Sequence, residues 1–415
     1  MKTQQNFRAG YAMWVTFAVV TSIYMCSLFY RMAPSVLATS IAGDFGIGVS
    51  EVSVIGSATM LGFGLAQIPT GLFCDRLGGK LTLLGLTLLA GGATLAFGMA
   101  GSMESVAVSR FLTGAGVSAT IPCASILAHR VPPHLFARVS CLMYGCGSLG
   151  TVFASAPVAF MDGAFGWRNT MYGCGLFSII LAALLLFCVP GKAAAKQQPA
   201  QAGSATLSGG LRIVLRSRNF WLLCTVYSCT LLTFFGFYGL WFGPYLEQAC
   251  GLSKLEAGSV LSMGAFASVP GMILIAIISD KIRSRKKPII FFCGTATLSV
   301  AILALFPGRL PVPALTGIAF VLSFSCAHTG ITFTSGKELF PLAIMGAATG
   351  CLNTLPCLLG AAGQKFFGML LKASPDFAAG NFAPAYSSAM VFYAAAISLA
   401  FAASFFIRET YPEKA

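Results

Sequence analysis

Runs of about twenty apolar residues recur along the whole chain, and most of the charge lies in the short stretches between them. With charges, prolines and glycine clusters taken as breaks, the first six runs fall near 11–40, 51–73, 80–101, 105–128, 138–161 and 168–190. The second six fall near 219–246, 255–279, 288–306, 312–335, 343–370 and 386–407. Each is long enough to cross a bilayer as a helix, so the pattern predicts an all-α membrane protein with twelve transmembrane helices. One longer interruption, at 191–218, is small, polar and basic, which suits a flexible linker. It divides the chain into an N-terminal six-helix bundle (1–190), a cytoplasmic linker (191–218) and a C-terminal six-helix bundle (219–415).

Composition supports that reading. Only 9 % of the 415 residues are charged, 57 % are apolar and the mean hydropathy is +0.82. A soluble domain is roughly a quarter charged. A net charge of +14 would point a soluble protein toward nucleic acid, but here the distribution decides. With the N-terminus inside, 19 of the 26 Lys and Arg fall on inner segments, which by the positive-inside rule places both termini in the cytoplasm. No nucleic-acid partner is expected. The opening "MKTQQNFRAGYAMWVTF" runs on to about Ala42 without a small-residue cleavage site, so it reads as a retained first helix. The 14 cysteines lie mostly inside apolar runs and form no CxxC pair; His129 and His134 flank a basic turn. No metal site and no cofactor are expected.

The stretch "GLFCDRLGGK" (71–80) spends an acid, two bases and three glycines on ten residues. Its core "DRLGGK" at 75–80 is echoed by "DKIRSR" at 280–285, each after the second segment of its half. Internal repetition of six-helix halves is a transporter signature, because two related bundles can rock around a site between them. In the echo Ala276 and Arg283 stand where the first copy has glycines, so close packing is not expected there and its bases read as inner-face anchors.

Several local matches in order give a resemblance. Gly71, Asp75, Arg76, Gly78 and Lys80 fit the loop motif of the major facilitator superfamily; "RFLTGAG" (Arg110, Gly114, Gly116) fits a second, and "GWR" (166–168) the entry to the sixth helix. "YGLWFGPYL" and the run from Gly336 to Gln364 also look like bacterial members. The resemblance implies a monomeric secondary transporter of the bacterial inner membrane, working by rocker-switch alternating access. It also implies that Asp75 latches the inner side, onto the start of the eleventh helix at 345–350, while the outer side is open. The other reading of the 71–80 stretch is a solvated topological anchor.

Arg31 lies some twenty residues into the first segment, where a guanidinium costs about 2.5–3.5 kcal/mol and so usually faces a cavity. Its planar fork suits carboxylate or phosphate, and organic-anion and organophosphate carriers of the family likewise use an arginine on the first helix. The alternative is an arginine that snorkels to headgroups or pairs internally. The twelve acids all map to loops or helix ends in this layout, so the expected substrate is a small organic anion or zwitterion, with protons as a coupling partner or exchange as the alternative. Tyr24, Tyr30, Tyr227, Tyr238, Trp241 and Asn353 are expected to complete the cavity, and glycines 236, 239 and 243 with Pro244 to break the seventh helix. Coupling falls to Arg110, or that residue pairs structurally with Glu104 or Asp44. His328 carries the proton or is a hydrogen-bonded packing histidine. A drug/proton antiporter of the same superfamily is the rival, weakened by Ala156-Pro157 where such proteins carry Gly-Pro. A membrane enzyme is not expected, because no Ser/His, metal or paired-carboxylate set is visible.

Overall fold

The computed structural model describes residues 2–48, 52–131, 133–189, 207–340 and 342–411, with side chains described except at 2–12, 75, 133–138, 140–141, 207–211, 337 and 342–350. Every regular element among them is a helix, as lipid demands of a backbone that finds no hydrogen bonds in its solvent. The first half comprises α1 (Lys2–Met32), α2 (Pro34–Phe45), α3 (Ser53–Leu77), α4 (Gly79–Gly98), α5 (Met103–Gly116), α6 (Thr120–Arg130), α7 (Pro133–Phe153) and α8 (Ala156–Cys188). The second begins with α9 (Leu207–Arg216) and α10 (Arg218–Leu231), a π-helical run Leu232–Trp241, the short α11 (Phe242–Pro244) and a π-helical turn Tyr245–Ala249. It continues through α12 (Lys254–Lys281), α13 (Lys286–Leu305), α14 (Val312–Cys326), α15 (Thr329–Glu338), α16 (Leu342–Ala373), α17 (Pro375–Ala378) and α18 (Phe382–Ser404).

Among the described residues ten helical stretches are long and apolar enough to cross a membrane. One of them, Leu142–Cys188, has 47 residues, about 70 Å as a straight helix against a hydrocarbon core of about 30 Å. It is interrupted at 154–155, between α7 and α8, and divided again at Gly166, whose φ of 78° is not helical. The parts on either side of Gly166 pack differently: Ala156 and Ala159 lie on Gly258 of α12, and Gly175 on Gly91 of α4. Read as two spans, and with the 25-residue but less apolar α3 added, the series is consistent with the expected twelve. The apolar side chains that remain exposed, such as Ile68, Phe187, Phe291 and Leu399, are those a lipid solvent would cover.

Four expected segments are broken in mid-course: 11–40 between α1 and α2, 105–128 between α5 and α6, 138–161 between α7 and α8, and 312–335 between α14 and α15. The seventh helix is not broken by its glycines as expected but widened into the π-helical run. Within the first half α1 packs on α7, α3 on α5 and α4 on α8; within the second α12 packs on α14, and α10 and α13 on α18. The halves meet where α3 lies along α16, and α7 and α8 along α12. The end carrying Arg76 and Arg216 is called the basic end below.

Candidate substrate-binding site

Tyr24, Ser27 and Arg31 follow one another at spacings of three and four, so they share one face of α1. The helix stops one residue later because Pro34, in the first turn of α2, has no N–H. In an unbroken helix that N–H would bond the Tyr30 carbonyl four residues back. The carbonyl instead accepts from Arg110 Nη2 at 2.7 Å. Arg110 is 1 % exposed, and its guanidinium lies over the Phe97 ring, 5.2 Å from the centroid. The expected pairing with Glu104 or Asp44 is not found. Glu104 is exposed six residues away, about 9 Å of helix rise, while Asp44 is taken by Arg168 at 2.8 Å and by Trp167 Nε1 at 3.1 Å. Gly114, one turn beyond Arg110, lets α5 approach α3 so closely that a Cβ would overlap the Thr59 carbonyl.

Arg31 points into the protein and is 7 % exposed. Its Nε donates to the Ser27 carbonyl at 3.2 Å. The guanidinium carbon lies over the Phe63 ring of α3, 4.4 Å from the centroid, and over the Phe235 ring of the π-helical run at 4.9 Å. The cation thus packs against an aromatic ring from each half, an arrangement worth about 2 kcal/mol or more per ring when desolvated. No carboxylate among the described residues lies within ion-pair distance, and Nη1 and Nη2 donate to none of them. Phe235 is itself fixed: Gln364 Nε2 on α16 donates to its carbonyl at 2.8 Å, and Trp241 Nε1 donates to the Gln364 carbonyl at 3.1 Å. Helical irregularities of this kind recur at functional sites, and Arg31 has one on each side.

The remaining predicted residues divide. Tyr24, Tyr227 and Cys357 lie within electrostatic reach of Arg31. Tyr24 meets Tyr144 edge-on at 5.4 Å, and Tyr227 tilts against Phe333 at 5.9 Å. Asn353, whose carbonyl accepts from Cys357 one turn on, keeps a part-exposed side chain bonded to no described residue. Tyr30, Tyr238 and Trp241 are not brought to Arg31. Tyr30, about 100° round the helix from Arg31, lodges its hydroxyl between the Cys174 carbonyl and Ser178, both at 2.7 Å. Tyr238 donates to the Leu261 carbonyl of α12, and Trp241 is the Gln364 partner above.

His328 is fully enclosed at the α14–α15 break in the second half, away from Arg31. Its Nδ1–H donates to the Ser325 carbonyl at 2.8 Å, which leaves Nε2 facing Cys293 Sγ at 3.2 Å and Thr230 Oγ1 at 3.5 Å. Of the loop motif, Lys80 Nζ donates to the Leu186 carbonyl at 2.9 Å and Arg76 is exposed. The Asp75 side chain and those of 345–350 lie outside the described residues, as does the greater part of the linker. Nothing described stands within 4 Å of a Cβ at Gly71.

A cross-half cluster at the end opposite the basic one has no counterpart in the sequence reading. Gly243 N–H donates to Ser35 Oγ at 3.1 Å, and Thr39 Oγ1 to Glu247 at 2.7 Å. Lys254 binds both Asp162 and Ser40, and Ser40 donates to Asp162 at 2.7 Å. Asp162 and Glu247 lie near the ends of helical stretches, four residues before the Gly166 break and two before the close of the π-helical turn, at a contact between halves that only the fold creates.

A family model described as Major Facilitator Superfamily matches residues 20–364. The chain is 26 % identical over 323 residues to the cis,cis-muconate transport protein of Acinetobacter baylyi, covering 75 % of this chain and 76 % of that one. It is 30 % identical over 158 residues to the 4-hydroxybenzoate transporter PcaK of Pseudomonas aeruginosa, a match to 38 % of this chain and 35 % of that one. Its fold matches that of a bacterial homolog of the human lysosomal transporter Spinster, solved in an inward-facing, unoccupied conformation. The TM-score is 0.79 at 17 % identity, over 95 % of this chain and 97 % of that one.

Proposed function

The chain belongs to the major facilitator superfamily, and on that footing we propose that it is a secondary active transporter which carries a small organic anion anchored by Arg31. It is a multi-pass membrane protein and a transporter, not an enzyme. One observation carries the substrate class: a guanidinium deep in the bundle, packed against a ring from each half and, among the described residues, left without a carboxylate. A buried charge of this kind is retained where something pairs with it, and relatives named for muconate and 4-hydroxybenzoate, both organic acids, support the same class. Tyr24, Tyr227 and Asn353 would then line the path of the solute.

The two bundles, 1–190 and 219–415, rock about this site. The basic end faces the cytoplasm, with both termini, because Lys and Arg gather there. The Ser40–Asp162–Lys254 and Thr39–Glu247 contacts then close the outer side, so the described state is closed outward. The 71–80 motif would latch the inner side in the opposite state. Arg110 is engaged by the Tyr30 carbonyl and serves the α1 break, so coupling by protons falls to His328. When neutral, its Nε2 accepts from the Cys293 thiol. When charged, it donates to Cys293 or to Thr230, whose own hydroxyl hydrogen is committed to Val226 at 2.8 Å.

Uptake into vesicles holding the purified protein tests the reading, over carboxylates, phosphates, amino acids and cationic dyes with and without a pH gradient. Anion uptake is expected to fall at least tenfold in Arg31→Ala and in Arg31→Lys, which keeps the charge but loses the fork. Normal transport by both variants at equal protein level would end the proposal.

A further inference from the structure

The way Arg31 is enclosed restricts the anion further. The Phe63 and Phe235 rings both lie against the guanidinium, and Nε is spent on the Ser27 carbonyl. What remains is the edge formed by Nη1 and Nη2, lying in the plane of the group. A carboxylate is planar, and its two oxygens match that edge end-on. A phosphate or sulfonate is tetrahedral, so its remaining oxygens leave that plane, and the aromatic rings beside the group offer them no hydrogen bond.

Charge count narrows the choice again. The other arginine deep in the first half, Arg110, is committed to the Tyr30 carbonyl, and Lys254 is committed to Asp162 and Ser40 at the far end. Among the described residues a second carboxylate on the solute would therefore find no free cation beside Tyr24, Tyr227, Cys357 and Asn353, and an uncompensated charge is costly there. An ammonium group fares no better, since Asp162 and Glu247 are engaged in the outer cluster and Asp44 by Arg168 and Trp167. The same residues offer uncharged hydrogen-bonding groups to the body of the solute.

We infer that the site selects a monocarboxylate with an uncharged body, over dicarboxylates, phosphate esters and amino acids. The inference rests on the anion-transporter reading and sets this chain apart from its muconate-named relative, since muconate is a dicarboxylate.

Binding to the purified protein at pH 7 decides it, measured by calorimetry on probes with one shared ring: benzoate, 4-hydroxybenzoate, terephthalate, phenyl phosphate and phenylalanine. At least one of the two monocarboxylates is expected to bind ten times more tightly than terephthalate, phenyl phosphate or phenylalanine. That binding is expected to be lost in Arg31→Lys while the variant elutes as the same folded species. Terephthalate or phenyl phosphate binding within threefold of the better monocarboxylate, and still Arg31-dependent, would overturn the inference and leave the anion reading standing. Binding by none of the anions, or binding unchanged in Arg31→Ala, would overturn both.

Discussion

Gly78 and Arg283 stand 205 residues apart, and both carry a positive φ, 83° and 50°. Each follows the second long helix of its half, so the positive-φ position of "DRLGGK" recurs in "DKIRSR" although its glycine is gone. Nothing described lies within 4 Å of a Cβ at Gly78, so that glycine serves the turn and not close packing. The second copy holds an exposed arginine in a conformation that costs an L-residue roughly 1–2 kcal/mol.

Replacing Arg283 by glycine is accordingly expected to stabilise the protein by about 1 kcal/mol, and Gly78→Ala, at φ 83° and ψ 156°, to destabilise it by about 1–3 kcal/mol. Thermal melting of the detergent-solubilised protein measures both. A lower melting point for Arg283→Gly would show that the turn is not the source of strain.

Much of the fold was legible because its signals are local. Hydropathy marks the spans, the bias of Lys and Arg marks the basic end, and the echo at 280–285 marks the repeat. Arg31 stood out because a lone charge in an apolar run is expensive wherever the chain folds. Pro34, three residues on, was the visible sign of the break after Met32. That Arg110 would answer it, rather than Glu104 or Asp44 answering Arg110, depends on how α5 packs on α1. Tyr30, Tyr238 and Trp241 read as cavity residues by type alone, whereas their hydroxyl and indole groups are committed to backbone carbonyls. The Ser40–Asp162–Lys254 cluster joins three segments over 200 residues of chain, and no local pattern announces it.

Gln364 holds the carbonyl of Phe235, whose ring caps Arg31. Gln364→Leu removes the side-chain donor to that part-buried carbonyl, a loss of about 0.5–1.5 kcal/mol. Anion affinity should fall with it, because the ring over the guanidinium is no longer fixed. Gln364→Asn, one methylene shorter, should weaken both less than leucine does. A leucine variant that binds and melts like the parent would mean that the π-helical run holds Phe235 unaided.

At Gly243 the halves touch so closely that a Cβ would overlap the Ser35 carbonyl. Gly243→Ala should therefore disfavour closure at this end while leaving each half intact. Hydrogen exchange, normalised to intrinsic rates, is expected to rise at least threefold across α2 and 245–256. Exchange in α13 and α18 should not change. Unaltered exchange at α2 would mean the contact gives way at little cost.

The tail after α18 supplies a pH-dependent contact at the basic end. Glu409 accepts from Ser284 Oγ at 2.5 Å and from the backbone N–H groups of Arg285 at 2.8 Å and Lys286 at 3.4 Å, so its carboxylate caps the start of α13. Burial alone would push its carboxyl upward, but these hydrogen bonds and that from the Tyr411 N–H outweigh it and hold the group below the ordinary glutamate value. Because the folded value is the lower one, the contact contributes fully above about pH 4.3 and is lost as pH falls through the folded value. Hydrogen exchange of 405–411 should stay flat from pH 8 to 5, once corrected for intrinsic rates, and rise only under more acid conditions. In Glu409→Gln the tail should exchange freely at pH 7 already, since a neutral amide loses the charge-assisted bonds to the helix start. Release of the tail between pH 7 and 5 would place its control on some group other than Glu409.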